Sequence, residues 1–176
     1  MITFEKIGFR PIEFADLECL RLIHNDASTL LNLGNAELVT AEEQENWWKG
    51  LANSKTAKRF SIIELSTCRV IGLIRVQNID QVNRNCEVGL DIARDMRGQG
   101  FGRMAYKALL GYLFDQYNMH MVYLRYIATN NTAANLYRSL GFQDSGALKE
   151  FIFRDGNYMD YKIMCLTSQE YKARAR

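Results

Sequence analysis

Proline is nearly absent: Pro11 is the only one in 176 residues, and no serine- or glycine-rich run divides the chain. With no linker and no internal repeat, one domain spanning residues 1–176 is expected. No apolar stretch approaches the roughly 20 residues that cross a bilayer. Met1 to Arg10 breaks its hydrophobic residues with Glu5, Lys6 and Gly8, so neither a membrane partner nor a signal-peptide core is expected. Charge of one sign is also missing: a net +2 gives no basic field for nucleic acid. The four cysteines, Cys19, Cys68, Cys86 and Cys165, lack metal-ligand spacing and sit among apolar neighbours. They read as reduced thiols of a cytoplasmic protein rather than a disulfide framework, and no metal site is expected. Two histidines, His24 and His120, are the only ones present, and neither lies in a motif; both are expected to be structural.

What is present alternates between two periods. Ile2 to Arg10 reads as a first strand ended by Pro11, and Phe14, Leu17, Leu20 and Ile23 mark a helix over Glu13 to His24. Ala27 to Val39 reads as an irregular connection. Thr40 with Glu43 forms a capping box that opens a second helix carrying Trp47, Trp48 and Leu51. Strands are expected at Arg59–Leu65, Arg69–Ile79, Cys86–Ile92 and Met121–Ile127. The stripe Ala105, Leu109, Leu110, Leu113, Phe114, Tyr117 predicts a helix over Met104–Tyr117. A short helix, Ala133 to Leu140, begins after candidate caps at Asn130 to Thr132 and ends at Gly141 with Phe142 beyond. Gly146–Phe153 and Tyr158–Leu166 flank Asp155-Gly156-Asn157 as a closing hairpin.

The stretch Arg97-Gly98-Gln99-Gly100-Phe101-Gly102-Arg103 lies between a strand and a helix. Three glycines in five positions clear the backbone of side chains, and the helix start adds unpaired N–H groups and the positive end of its dipole. A phosphate or pyrophosphate is the natural guest; a tight turn without ligand is the plain alternative. A Walker loop is a poor fit because no lysine–hydroxyl pair follows. A dinucleotide fold is equally poor, since the spacing is Gly98-x-Gly100-x-Gly102 and the stretch lies past mid-chain.

The same residues match the Gln/Arg-x-x-Gly-x-Gly/Ala signature of the GNAT acyl-CoA N-acyltransferases, which this chain resembles over essentially its whole length. A second segment, Asn130 to Phe142, with Ala133, Tyr137, Leu140 and Gly141, resembles the family's other cofactor segment. Phe9-Arg10-Pro11 and Phe151 to Leu166 resemble the branch of ribosomal-protein N-terminal, spermidine and amino-sugar acetyltransferases. The resemblance implies a mixed α+β fold: a mostly antiparallel sheet of about seven strands and about four helices, split at the acyl-CoA site. It implies acetyl-CoA as donor, its pyrophosphate on the amides of Arg97 through Arg103. Pantetheine would lie along Leu90, Asp91 and Ile92, where a bulged strand leaves its neighbour. A homodimer is the assembly to test.

The reaction implied is direct attack of a primary amine on the acetyl carbonyl in a ternary complex. Tyr137 matches the general acid that protonates the departing thiolate; its alternative is a core aromatic. Glu87 is the base candidate, through a water, or a solvated strand-end carboxylate. Arg97 and Arg103 either add charge beside the phosphates or are surface arginines. Asn130 bonds the coenzyme, caps a helix, or both. Trp47 and Trp48 wall the acceptor pocket or pack the core. Ser28 to Thr40 holds a single acid, Glu37, and Asn78 stands where an acid would help a polyamine. Both count against a polyamine without excluding one: a protein N-terminus or an amino-sugar or other small amine is the expected acceptor, and spermidine is the alternative. A non-catalytic acyl-CoA sensor would lack the acid that Tyr137 supplies.

Overall fold

The structure, a computed structural model describing residues 1–174, has β1 Ile2–Phe4, β2 Ile7–Pro11, β3 Lys58–Glu64, β4 Arg69–Asp80, β5 Asn85–Ile92, β6 Met121–Ile127, β7 Gln143–Arg154 and β8 Asn157–Thr167. These eight strands form one sheet in the order β1-β2-β3-β4-β5-β6-β8-β7. All neighbouring pairs are antiparallel except β5–β6. The helices are α1 Leu17–Asn25, α2 Ala27–Leu30, α3 Ala41–Leu51, α4 Phe101–Gly111, α5 Asn131–Leu140 and α6 Ser168–Arg174.

Two counts differ from expectation. The first strand is two, because Glu5 takes φ +50° and folds Ile2–Phe4 back on Ile7–Phe9. Alternation alone does not reveal such a hairpin within nine residues. The extra helices are α2, inside the stretch expected to be irregular, and α6, after the closing hairpin. The Thr40–Glu43 capping box forms at the start of α3. After Gly111 the expected long helix widens into a π turn, Tyr112–Gln116.

The main core lies on one face of the sheet. Ile74, Val76, Val88, Val122 and Leu124 point into it, against Ala105, Leu109 and Leu113, and all are buried. The opposite face carries a smaller cluster, Ile12, Leu17 and Leu20 with Trp47, Trp48 and Leu73, under α1 and α3. Beyond that cluster this face stays open, and the site lies there.

Candidate active site

β5 pairs with β4 along its length, Gly72 opposite Ile92 and Gln77 opposite Glu87. Its parallel pairing with β6 covers only Asn85–Glu87 against Met121–Tyr123, after which β6 continues with β8 alone. Val88 to Ile92 therefore have no strand partner on that side among the described residues. Their unpaired backbone edges a cleft of about 1200 Å³. The register irregularity lies in β4, at Asn78–Ile79, and not in the strand before the glycine turn. Asn78 sits there at φ +51°.

The glycine turn closes one end of the cleft, which Arg97, Gly98, Gly100, Phe101, Gly102 and Arg103 all line. Gly98 and Gly100 take φ +75° and +86°, and Gly100 is the N-cap of α4 with no side-chain cap bond. The first amides of α4 are thus left for a ligand. Gln99 folds back, its Nε2 donating to the Asp95 carbonyl at 2.9 Å. The Arg97 guanidinium also turns away: Nε donates to the Ile92 carbonyl at 2.8 Å, Nη1 to Ser28 Oγ at 2.7 Å and Nη2 to Thr29 Oγ1 at 2.5 Å. It is a strut tying the turn to α2. Arg103 is exposed at the mouth of the cleft. Asn130 caps α5, its Oδ1 accepting from Ala133 N at 3.0 Å while Nδ2 donates to Asn32 at 2.9 Å.

Tyr137, on α5, borders the cleft. Its ring meets Tyr106 edge-on at 5.5 Å, Tyr126 at 5.7 Å and Phe142 at 6.1 Å. Burial raises its proton affinity, with Tyr106 and Arg75 acting in the opposite sense. The phenol is therefore protonated at neutral pH. Tyr106 is 1% exposed, its hydroxyl has no hydrogen-bond partner among the described residues, and burial followed by the neighbouring Tyr137 raises its pKa well above the ordinary value.

Glu87 is 5% exposed and is not a solvated carboxylate. Arg125 grips it two-handed, Nε to Oε1 at 2.8 Å and Nη2 to Oε2 at 2.9 Å, and Asn78 Nδ2 adds a bond of 2.9 Å to Oε2. Asp91 is likewise paired with Arg75. Leu90 and Ile92 flank it on the free edge, and both line the cleft. Both tryptophans pack on the small core; Trp47 also lines the cleft, whereas Trp48 donates its Nε1 to the Ile12 carbonyl at 3.0 Å. His24 borders the cleft through a 3.0 Å contact with the Glu37 carbonyl; His120 lies apart, against Ser168.

Sequence reading passed over Arg59, Arg75, Arg125 and Tyr106, all of which line the cleft. Arginines alternating along a strand look like a solvated face. The available signal was that Arg75 and Gln77 share the parity of Glu87 once β4 and β5 are paired.

A splayed strand pair with an amide-lined turn at one end and a buried phenol beside the gap defines an acyl-CoA-dependent transferase. The chain belongs to the acetyltransferase (GNAT) domain family, whose model matches residues 6–143. Over 170 residues it is 27% identical to the spermidine N(1)-acetyltransferase of Vibrio cholerae serotype O1, covering 97% of this chain and 98% of that enzyme. It is 23% identical over 113 residues to the ribosomal protein uS5-alanine N-acetyltransferase of Escherichia coli K12, covering 64% of this chain and 58% of that one. The structure of the Vibrio cholerae spermidine N-acetyltransferase in complex with CoA and spermine superposes with a TM-score of 0.90, at 26% identity, over 95% of this chain and 98% of that. The protein is an N-acetyltransferase with acetyl-CoA as donor and an amine as acceptor.

Proposed function

We propose that residues 1–176 act as one domain moving acetyl from coenzyme A to a primary amine by direct attack, with Tyr137 as general acid. The observation that carries this is the splay of β5 from β6, with Tyr137 and the glycine turn bordering the same cleft. The pyrophosphate rests on the amides from Gly98 to Arg103, with Asn130 at the coenzyme's flank. Pantetheine follows the free edge at Leu90, Asp91 and Ile92. A backbone N–H there polarises the thioester carbonyl. The amine adds to that carbonyl, the carbon–sulfur bond breaks, and Tyr137 gives its proton to the thiolate. The three hydrogen bonds that Glu87 accepts from Arg125 and Asn78 favour a buried anchor of the cleft floor over the base role. The ammonium proton then leaves through water in the open half of the cleft.

The acceptor is a protein N-terminus or a small amine. A polyamine is the second reading, favoured by likeness to enzymes named for spermidine. Against it, both carboxylates on the cleft floor, Glu87 and Asp91, are already neutralised by arginines. The four free cysteines suit a reducing cytoplasm. No helix among the described residues is long and apolar enough to cross a membrane. The open edge strand β7, with exposed Phe151 and Phe153, is the surface through which a second copy would pair; a concentration-independent monomer in sedimentation velocity would refute that assembly.

Acetyl-CoA consumption across an amine panel tests the reaction. Tyr137→Phe is expected to lower kcat by about 10²–10⁴-fold, the worth of a general acid, with little change in the calorimetric Kd for acetyl-CoA. Undiminished turnover would refute the acid assignment.

A further inference from the structure

The register of β3, β4 and β5 puts Arg59, Arg75 and Gly89 in one row and Gln77 opposite Glu87 in the next. Alternation places Arg59, Arg75, Gln77 and Glu87 on the open face of the sheet, and all line the cleft. Arg75 lies across Gly89 so closely that a Cβ there would come 3.0 Å from Nη2. Three guanidinium groups thus share this floor with two carboxylates. Asp91 is taken by Arg75 and Glu87 by Arg125.

Arg59 is left with neutral partners. Its Nη1 donates to the Val76 carbonyl at 2.8 Å and the Lys58 carbonyl at 3.1 Å, and its Nη2 to Gln77 Oε1 at 3.0 Å. No carboxylate forms an ion pair with it among the described residues. Burial, and then the charge of Arg75, lower its pKa to about 10, and the charge of Glu87, already paired with Arg125, opposes them without offsetting them. A partly desolvated cation without a counter-ion is costly, and an incoming anion relieves that cost. The remaining acids of the cleft do not supply one. Glu43 is engaged with Thr40 N and Oγ1, Glu37 accepts from Asn35, and both are exposed on the rim.

We propose that the acceptor is an amine bearing an anionic group, a carboxylate or a phosphate, and that Arg59 receives this group while the amine faces the thioester beside β5. Two strand spacings, about 10 Å, separate β3 from β5, so the acceptor carries its charge well away from its amine. A polyamine would bring only cations to this floor. The inference rests on the amine acetyltransferase reading and narrows its substrate.

Matched acceptors test it: aminohexanoate against its amide, glucosamine phosphate against glucosamine, and spermidine. The anionic member of at least one pair is expected to have the higher kcat/KM, by about ten- to a hundredfold, the worth of a charge-assisted hydrogen bond. Which pair responds distinguishes carboxylate from phosphate. Arg59→Gln should collapse that preference toward unity through KM, and Arg59→Lys, which keeps the charge and loses the fork, should restore part of it. Circular dichroism confirms that the variants are folded. A preference for spermidine or for the neutral members, or an Arg59→Gln variant that retains the anion preference, overturns the proposal and leaves the acetyltransferase reading standing. No acetyl-CoA consumption with any amine in the panel overturns both.

Discussion

Asn78 adopts φ +51° within β4, where two residues of β4 oppose one of β5. A left-handed residue in a strand costs about 1 kcal/mol or more, although asparagine tolerates it better than most. The bulge turns the Asn78 amide toward Glu87, at 2.9 Å, and toward the Tyr123 hydroxyl, at 3.4 Å. Asn78→Gly is expected to keep the backbone while removing the amide, and so to lower turnover with little loss of stability. Asn78→Ala also meets the strain and should be less stable than the glycine variant by about 1 kcal/mol in urea unfolding. Equal stabilities would mean that the left-handed turn is not held in solution. The site was half legible at this scale. Glu87 stands out in the sequence as a lone acid in an apolar strand, and Tyr137 because the segment around it resembles one known in a family. Arg125 and Arg59 do not stand out. Their roles depend on pairings 38 residues apart for Arg125–Glu87 and 17 for Arg59–Val76, which only strand register creates.

The cleft exists because β5 follows β4 to its end and abandons β6, and the close approach of β4 depends on Gly72. A Cβ on Gly72 would lie 2.2 Å from the Asp91 carbonyl oxygen, a backbone atom that cannot rotate aside. Gly72→Ala should therefore push β5 outward at Asp91, costing roughly 1–3 kcal/mol of stability as an overpacked site. It should also weaken acetyl-CoA binding in calorimetry, because the displaced residues border the path proposed for pantetheine. Unchanged affinity in a destabilised variant would separate β5 position from coenzyme binding and refute the free-edge role. Elements with strong local signals were legible: the Thr40 capping box, the strands after the first and the closing hairpin all form within a few residues of expectation. The segment from Ala27 to Val39 is irregular beyond Leu30, as expected, but its short α2 was not legible. It is held by side chains, with Asn25 bonding both the N–H and the carbonyl of Val39 at 2.9 and 2.8 Å, and Arg154 reaching the Leu33 carbonyl at 2.6 Å. Contacts from outside a segment leave no periodicity within it.

For the molecule as a whole, the response to acid is centred on Asp16, where the chain turns from β2 toward α1. Asp16 is 3% exposed, yet Arg10 clasps it at 2.7 and 3.0 Å, Ser61 Oγ donates to it at 2.6 Å and the Glu13 amide at 3.0 Å. Burial by itself would raise its pKa. The bonds from Arg10, Ser61 and Glu13 outweigh burial, and the pKa is lowered. A carboxylate whose folded pKa lies below its unfolded value, about 3.9, contributes stability that is full above that value and is lost as pH falls through the folded pKa. The carboxylates Asp26, Glu43 and Asp80 shift in the same direction through bonds to turn and cap residues, and add to the slope. Asp16→Asn keeps the shape but leaves Arg10 without its counter-charge, and is expected to cost roughly 1–3 kcal/mol at neutral pH. Below about pH 4 the parent should lose this advantage, so the Tm curves of parent and variant converge there. Curves that stay parallel from neutral pH to pH 3 would show that the Asp16 carboxylate titrates alike in folded and unfolded chains, and that the clasp joining β2, α1 and β3 contributes through shape alone.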